Sequence, residues 1–141
     1  MKNINKTGSM KKILIKTYGF IGDILFASSV AKKLHEQHNN VIVDYCIGFP
    51  QPYGLLKNNP YINNVYMSKT KGPRIQLPDY LKENNYTEIY ELPESLHDII
   101  PTILHQKYCG ITDPSPEFKV YTDPILDAMV SWEIDTVNTK M

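Results

Sequence analysis

Cysteine is scarce in this 141-residue chain, which has only Cys46 and Cys109. They are far apart and lack the short spacing of metal-binding pairs, so the sequence predicts two reduced thiols in a cytosolic protein rather than a disulfide framework or a zinc site. The four histidines are equally scattered and form no HExxH-like cluster, so no metal site is predicted.

An excess of either charge is also missing, because 15 basic residues balance 15 acidic ones. A zero net charge excludes a nucleic-acid footprint over the whole chain and leaves room only for a local patch. Arg74 is the only arginine, so a bidentate arginine clamp for phosphate has one candidate. With 42% hydrophobic and 21% charged residues, the composition is typical of a soluble globular domain.

Long hydrophobic runs are absent as well. Residues 1–10 are polar and contain no apolar stretch suited to a signal peptide, so we expect a flexible leader there. No run reaches the length needed to cross a bilayer. The sequence therefore predicts a cytoplasmic protein with one ordered domain over residues 11–141.

What the sequence does contain is an alternation of strand and helix patterns. Lys12–Lys16 is a short apolar run suited to a buried strand. Residues 21–38 have apolar side chains at helical spacing, and Val41–Ile47 has strong β propensity. Strand, helix and strand in this order predict a right-handed βαβ unit with parallel strands.

Further elements follow along the chain. The polar, basic segment Ser68–Leu77 is predicted to be a mobile surface loop. The whole pattern predicts an α/β fold, a Rossmann-like open parallel sheet with helices on both faces, which binds ligands at the carboxyl ends of its strands. The other predicted elements are short helices at Leu55–Asn58 and Pro78–Asn85, strands at Ile62–Met67 and Thr87–Leu92, a helix from Ser95 capped at Gly110, a last strand at Phe118–Tyr121 and a helix at Pro124–Trp132.

The loop after the first strand has the features of a functional site. Gly22 is expected to let the backbone turn tightly and approach a ligand, and Asp23 falls in the first turn of the helix, whose dipole favours a carboxylate. Such a carboxylate could accept a proton from a substrate hydroxyl. It could equally be a helix-start residue that satisfies free backbone N–H groups. Neither GxGxxG nor a Walker A sequence occurs.

Two segments resemble the family 9 glycosyltransferases, which include the lipopolysaccharide heptosyltransferases. Ile13–Leu25 is similar to the family's opening, an apolar strand and a short loop followed by Ile-Gly-Asp and two hydrophobic residues. Asn59–Val65 is similar to the family's NPYIDEV segment before the third strand. The resemblance is not uniform. The family often has Arg where this chain has Thr17 and Pro where it has Ser29, and many members have Ser, Asp or Asn where it has Gly19.

This resemblance implies the N-terminal, acceptor-binding half of a GT-B enzyme. It implies inverting, metal-independent sugar transfer without a cofactor, in which a nucleotide sugar is the co-substrate and Asp23 deprotonates the acceptor hydroxyl. Because the chain ends at Met141, we expect the C-terminal nucleotide-sugar domain to be absent. The implied partner is a glycan or lipid-linked acceptor, which would fit a peripheral position at the inner face of the membrane. The residues implied to shape the substrate site are Thr17, Tyr18, Gly19, Phe20 and Gly22.

Other interpretations remain open at the level of sequence. Lys69, Lys71 and Arg74 could attract an anionic acceptor or form a solvated loop. His97 and Asp98 follow the fourth predicted strand and are typical of a helix start. The whole chain could also be a non-catalytic α/β module that binds a glycan or an anion, or a flavodoxin-like or nucleotide-binding domain, which titration with flavin and nucleotides would reveal.

Overall fold

A four-stranded parallel sheet forms the centre of the molecule. The computed structural model describes residues 10–19, 21–72, 74–92, 101–119 and 121. The strands are β1 (Lys11–Thr17), β2 (Val41–Ile47), β3 (Asn64–Met67) and β4 (Glu88–Glu91), in the order β3-β2-β1-β4. The order reverses between β1 and β4, and such a reversal opens a crevice at the carboxyl ends of the strands.

Helices cover the sheet face to which Ile13 and Ile15 point, called here the first face. They are α1 (Ile21–Gln37), α2 (Tyr53–Lys57) and α3 (Pro101–Tyr108). The core on this face joins both isoleucines to Ile24, Val30 and Leu34 of α1, with Leu56 of α2. Tyr45 of β2 fastens α1 to the sheet, because its hydroxyl donates a 2.7 Å hydrogen bond to the carbonyl of Ala27.

The second face, to which Leu14 points, is covered differently. Ile75, Leu77 and Tyr86 pack there against Leu14 and Cys46. These three side chains come from an irregular segment whose only helical turn is a 3-10 helix at Glu83–Asn85. Within the described ranges, helices therefore lie on the first face and an ordered irregular segment lies on the second.

The α/β fold with a parallel sheet and the βαβ unit are confirmed. The strands predicted at Ile62–Met67 and Thr87–Leu92 are present but shorter, and Gly110 has the expected left-handed φ of +78° after α3. The helix predicted at Pro78–Asn85 is wrong, because Lys82 has an extended backbone that separates a turn at Pro78 from the 3-10 helix.

The strand predicted at Phe118–Tyr121 is not present in the described residues. Phe118 and Lys119 do not belong to a strand, since neither pairs with the sheet. The predicted leader, the helix start at Ser95 with His97 and Asp98, and the helix at Pro124–Trp132 all lie outside the described residues. In the part of the chain that the structure describes, no helix is long and apolar enough to span a membrane. Nor do three His, Cys, Asp or Glu side chains gather there into a metal-binding group.

Candidate functional site at the carboxyl edge of the sheet

The loop between β1 and α1 brings the carboxylate of Asp23 back onto Gly19. β1 ends at Thr17 and α1 begins at Ile21, which places Asp23 in the first helical turn. A Cβ atom added to Gly19 would lie 2.7 Å from the Cβ and Oδ2 atoms of Asp23. Gly19 also has a φ of +151°. The loop therefore requires glycine at this position both for backbone conformation and for space.

Gly22 does not form the tight turn that the sequence predicts for it. It is exposed inside α1 and is not among the glycines with positive φ, so Gly19 and not Gly22 provides the unusual backbone conformation. A Cβ on Gly22 would meet nothing within 4 Å among the described residues. A glycine within a helix costs about 1 kcal/mol relative to alanine. No described contact offsets this cost, and the open space above Gly22 is available to a ligand.

The Asp23 side chain is partly exposed at this edge rather than turned into the core. No hydrogen bond or ion pair joins its carboxylate to another residue of the described ranges. The first turn of α1 lies at the positive end of the helix dipole. The arrangement supplies a hydrogen-bond acceptor at the carboxyl end of the central strand.

The neighbouring loop residues contribute unequally. The Tyr18 ring packs 5.1 Å from the Phe49 ring, and a Cβ on Gly48 would lie 2.8 Å from it, so Tyr18 bridges the loops after β1 and β2. Thr17 is only 2% exposed, so its side chain is not available to a dissolved ligand. Phe20 lies outside the described residues.

A cleft of about 620 Å³ opens at the same edge on the second face of the sheet. Its apolar wall includes Ile75, which also contacts the strand-connecting loop that carries Gly48. Asp23 is not among the residues that line the cleft. Its charged lining residues are three cations and three carboxylates: Lys16, Lys69, Arg74, Asp79, Glu83 and Glu91.

Lys16 is the cationic residue of this cleft that sequence reasoning missed. It is 7% exposed near the end of β1, and its Nζ lies 3.3 Å from Glu83 Oε2. Its register partner in β4 is Glu91, so both side chains point to the second face. The available signal was a lysine inside a strand read as buried on both faces, since a buried ammonium needs a partner.

The basic loop residues divide into two groups. Lys69 and Arg74 line the cleft, and Lys69 forms an ion pair of 2.9 Å with Asp79. Lys71 is exposed and does not line it. The loop is held in shape by a hydrogen bond from the Lys69 N–H to the carbonyl of Gln76. The structure thus brings two of the three predicted cations to one site.

The second signature segment builds the turn into β3. Asn59 is 3% exposed, and its Oδ1 accepts a 2.9 Å hydrogen bond from the Tyr61 N–H. Ile62 enters the core of the first face, and the Asn63 side chain donates to Asp44. These contacts explain the segment as a fold element rather than as part of a reaction site.

Comparison with known proteins gives structural similarity only. No known family and no curated protein matches the sequence. The fold is similar to that of an E. coli ADP-heptose lipopolysaccharide heptosyltransferase II, with a TM-score of 0.47 and 24% identity over 72% of this chain. It is also similar to a family 9 glycosyl transferase from Veillonella parvula, with a TM-score of 0.48 and 14% identity over 79% of this chain.

The aligned region is a minor part of both solved structures. It covers 29% of the heptosyltransferase chain and 44% of the Veillonella chain. At this level of similarity neither protein's activity transfers to the present chain, so a function has to come from the residues of the site.

Proposed function

We propose that this chain is the acceptor-side part of an inverting, metal-independent glycosyltransferase of the family 9 type, with Asp23 as general base. The position of the Asp23 carboxylate carries this proposal. It lies in the first turn of α1, at the carboxyl end of β1, and it is partly exposed. In open parallel sheets this edge is where ligands bind.

The chemistry needs one proton acceptor on this chain. An acceptor hydroxyl gives its proton to Asp23, and its oxygen bonds to the anomeric carbon of the donor sugar from the side opposite the nucleotide. The bond from that carbon to the nucleotide then breaks, and the nucleotide leaves with the electron pair. The donor itself would be held by a second, nucleotide-sugar-binding domain.

Local sequence supports the assignment as well. The residues that resemble the family's opening, Ile13–Leu25, coincide with β1, the loop and the start of α1. The open space above Gly22 would let an acceptor approach the backbone beside Asp23. We infer a glycan or lipid-linked sugar as the acceptor from this resemblance.

The test is an Asp23→Asn substitution in an enzyme that contains this chain together with its nucleotide-sugar domain. We expect kcat to fall by about 10² to 10⁴-fold with little change in KM, because asparagine keeps the shape but cannot accept the proton. Asp113→Asn is the matched control. Asp113 follows the segment that Gln37 binds at the far end of α1, so this variant should keep normal turnover. Normal turnover in Asp23→Asn would make the base assignment wrong.

A non-catalytic binding module is the second candidate, and the charged cleft favours it. Lys16 and Arg74 offer cationic groups for a ligand without any reactive step. If the chain is such a module, the Asp23→Asn variant would bind the ligand as tightly as the unchanged protein. Neither protein would transfer sugar in an assembly with a nucleotide-sugar domain.

A further inference from the structure

The cleft on the second face contains a buried ammonium group with spare hydrogen-bonding capacity. Lys16 is 7% exposed, and Glu83 is its ion-pair partner in the described ranges. The 3.3 Å separation exceeds the roughly 2.7–2.9 Å of a strong charge-assisted bond. An ammonium has three donors, so one long contact leaves Lys16 able to bind a better acceptor.

Glu83 is a partner that can leave at low cost. Its side chain is 63% exposed, and it belongs to a 3-10 helix of three residues. Rotation of this carboxylate into solvent would restore its hydration. A buried ammonium without any partner would be costly, so Glu83 stabilises the empty cleft and an anionic ligand could replace it.

Arg74 supplies a second cationic group at the mouth of the cleft. It is exposed, and no carboxylate pairs with its guanidinium among the described residues. Thr70 Oγ1 donates a 3.0 Å hydrogen bond to the Arg74 carbonyl, which fixes the backbone of the loop there. A guanidinium with free donors suits a planar carboxylate or a phosphate.

The three carboxylates of the cleft restrict what kind of anion fits. Lys69 is already paired with Asp79, and Glu91 lies beside Lys16 on the neighbouring strand. A polyanion would be repelled by these groups, whereas hydroxyl groups could donate hydrogen bonds to them. The lining therefore favours one anionic group attached to a polyol.

We propose that this cleft binds a small polyhydroxylated anion, whose phosphate or carboxylate group displaces Glu83 from Lys16 and also contacts Arg74. This site is separate from the Asp23 loop and does not depend on a catalytic role for Asp23. Its ligand class follows from two cations with free donors and carboxylates that accept from hydroxyls.

Calorimetric titration of the chain with four compounds tests the ligand class. Glucose 6-phosphate and glucuronate carry the two candidate anionic groups, glucose carries none, and inorganic phosphate lacks the polyol. We expect the tighter of the two sugar anions to bind at least about tenfold more tightly than glucose or phosphate, which corresponds to one good charged contact. The tighter one identifies the anionic group. Equal binding of glucose and both anions, or no binding at all, overturns the proposal.

Variants test the residues with the tighter anion. Arg74→Gln and Lys16→Met should each weaken binding by about tenfold or more. Lys71→Gln is the matched control in the same loop and should change affinity by less than about twofold, since an exposed charge outside the cleft is screened. Equal weakening by Arg74→Gln and Lys71→Gln would mean nonspecific attraction and would overturn the site.

Glu83→Gln gives a result of opposite sign that needs no loss of folding. Because this substitution removes the carboxylate charge that competes for Lys16, the ligand should bind more tightly by roughly threefold or more. The control Glu117→Gln removes an exposed carboxylate outside this cleft and should have little effect. If Glu83→Gln left affinity unchanged or weakened it, displacement of Glu83 would be refuted.

Discussion

At the scale of single residues, Gly19 decides where the Asp23 carboxylate lies. The space that a Cβ atom of residue 19 would occupy is filled by the Asp23 side chain, whose Oδ2 is 2.7 Å away. This contact covers one side of the carboxylate and leaves it partly exposed at the edge of the sheet. Gly19 is therefore a positioning residue for Asp23 rather than only a flexible point in the loop.

From the contact between Gly19 and Asp23 we predict that Gly19→Ala destabilises the folded protein more than Gly110→Ala does. Both positions have positive φ, so alanine is strained in each, by about 1–2 kcal/mol at Gly110 and by about 1–3 kcal/mol at Gly19. Only at Gly19 would the new Cβ also collide with a neighbour, because nothing lies within 4 Å at Gly110 among the described residues. The collision should add about 1–3 kcal/mol to the loss in unfolding free energy, measured in urea.

A double-variant cycle identifies the collision partner. In an Asp23→Gly background the extra cost of Gly19→Ala should disappear, while the cost of Gly110→Ala should stay the same. An unchanged extra cost would show that the loop, and not Asp23, opposes a side chain at position 19.

At the scale of elements, the buried carboxylate of Asp44 connects β2 to the start of β3 and to the segment before β4. Asp44 is 0% exposed, and its Oδ1 accepts hydrogen bonds from the Asn63 side chain and from the Asn64 N–H. Its Oδ2 accepts a 2.8 Å hydrogen bond from the Tyr86 hydroxyl. Burial raises the pKa of Tyr86 well above its usual range, and the hydrogen bond to Asp44 adds to this, so the hydroxyl stays a donor.

Tyr86→Phe should therefore lower the free energy of unfolding by about 1–3 kcal/mol, because it leaves a buried carboxylate oxygen without its donor. Tyr90→Phe is the matched control. The Tyr90 hydroxyl donates to Glu88, whose side chain is 32% exposed and keeps an ion pair with Lys11. Water can replace that donor, so the control should cost less than about 1 kcal/mol. Equal losses in urea denaturation would contradict the assigned role of Asp44.

The same elements show where sequence patterns succeed. β1, α1 and β2 were predicted nearly to their ends, because their apolar spacing reflects burial against one another within 37 residues. The prediction of a helix at Pro78–Asn85 is wrong because the spacing of its apolar residues does not distinguish a helix from an irregular segment that packs on a sheet. An irregular backbone partly buries Leu81 there, and it buries Leu77 just before the segment.

At the scale of the whole molecule, the two cysteines report on the two cores separately. Cys46 belongs to the cluster on the second face and Cys109 to the cluster on the first. Burial raises the pKa of Cys46 to about 11 and that of Cys109 to about 12. An ordinary thiol has a pKa of about 8.5. Near this pH both thiols of the folded protein therefore stay protonated and unreactive, whereas the thiols of the unfolded chain are partly ionised and react.

We predict that iodoacetamide near pH 8.5 labels neither cysteine in the native protein, and that both become labelled together as denaturant is added. Because both folded pKa values lie above the unfolded value, the unfolded state loses protons first, and stability should decline as the pH rises above about 8.5. Mass spectrometry of the labelled peptides measures each site. Labelling of one cysteine at lower denaturant than the other would show that the two faces unfold independently.

The sequence by itself determined the α/β class, the βαβ unit and the placement of Asp23 at the start of α1. These follow from hydrophobic period and turn residues, which act over short stretches of chain. It also indicated Lys69, Lys71 and Arg74 as candidate cations from their local charge, and of these Lys69 and Arg74 line the cleft.

Only the tertiary structure decided which distant groups share one site. Lys16 meets Glu83 because β1 and the segment before β4 are brought together by the sheet, across 67 positions of sequence. Likewise, the strand order that puts β4 beside β1 is set by packing of both faces and not by any local pattern. Contacts of this kind depend on side-chain burial across the sheet, which residue spacing along the chain does not encode.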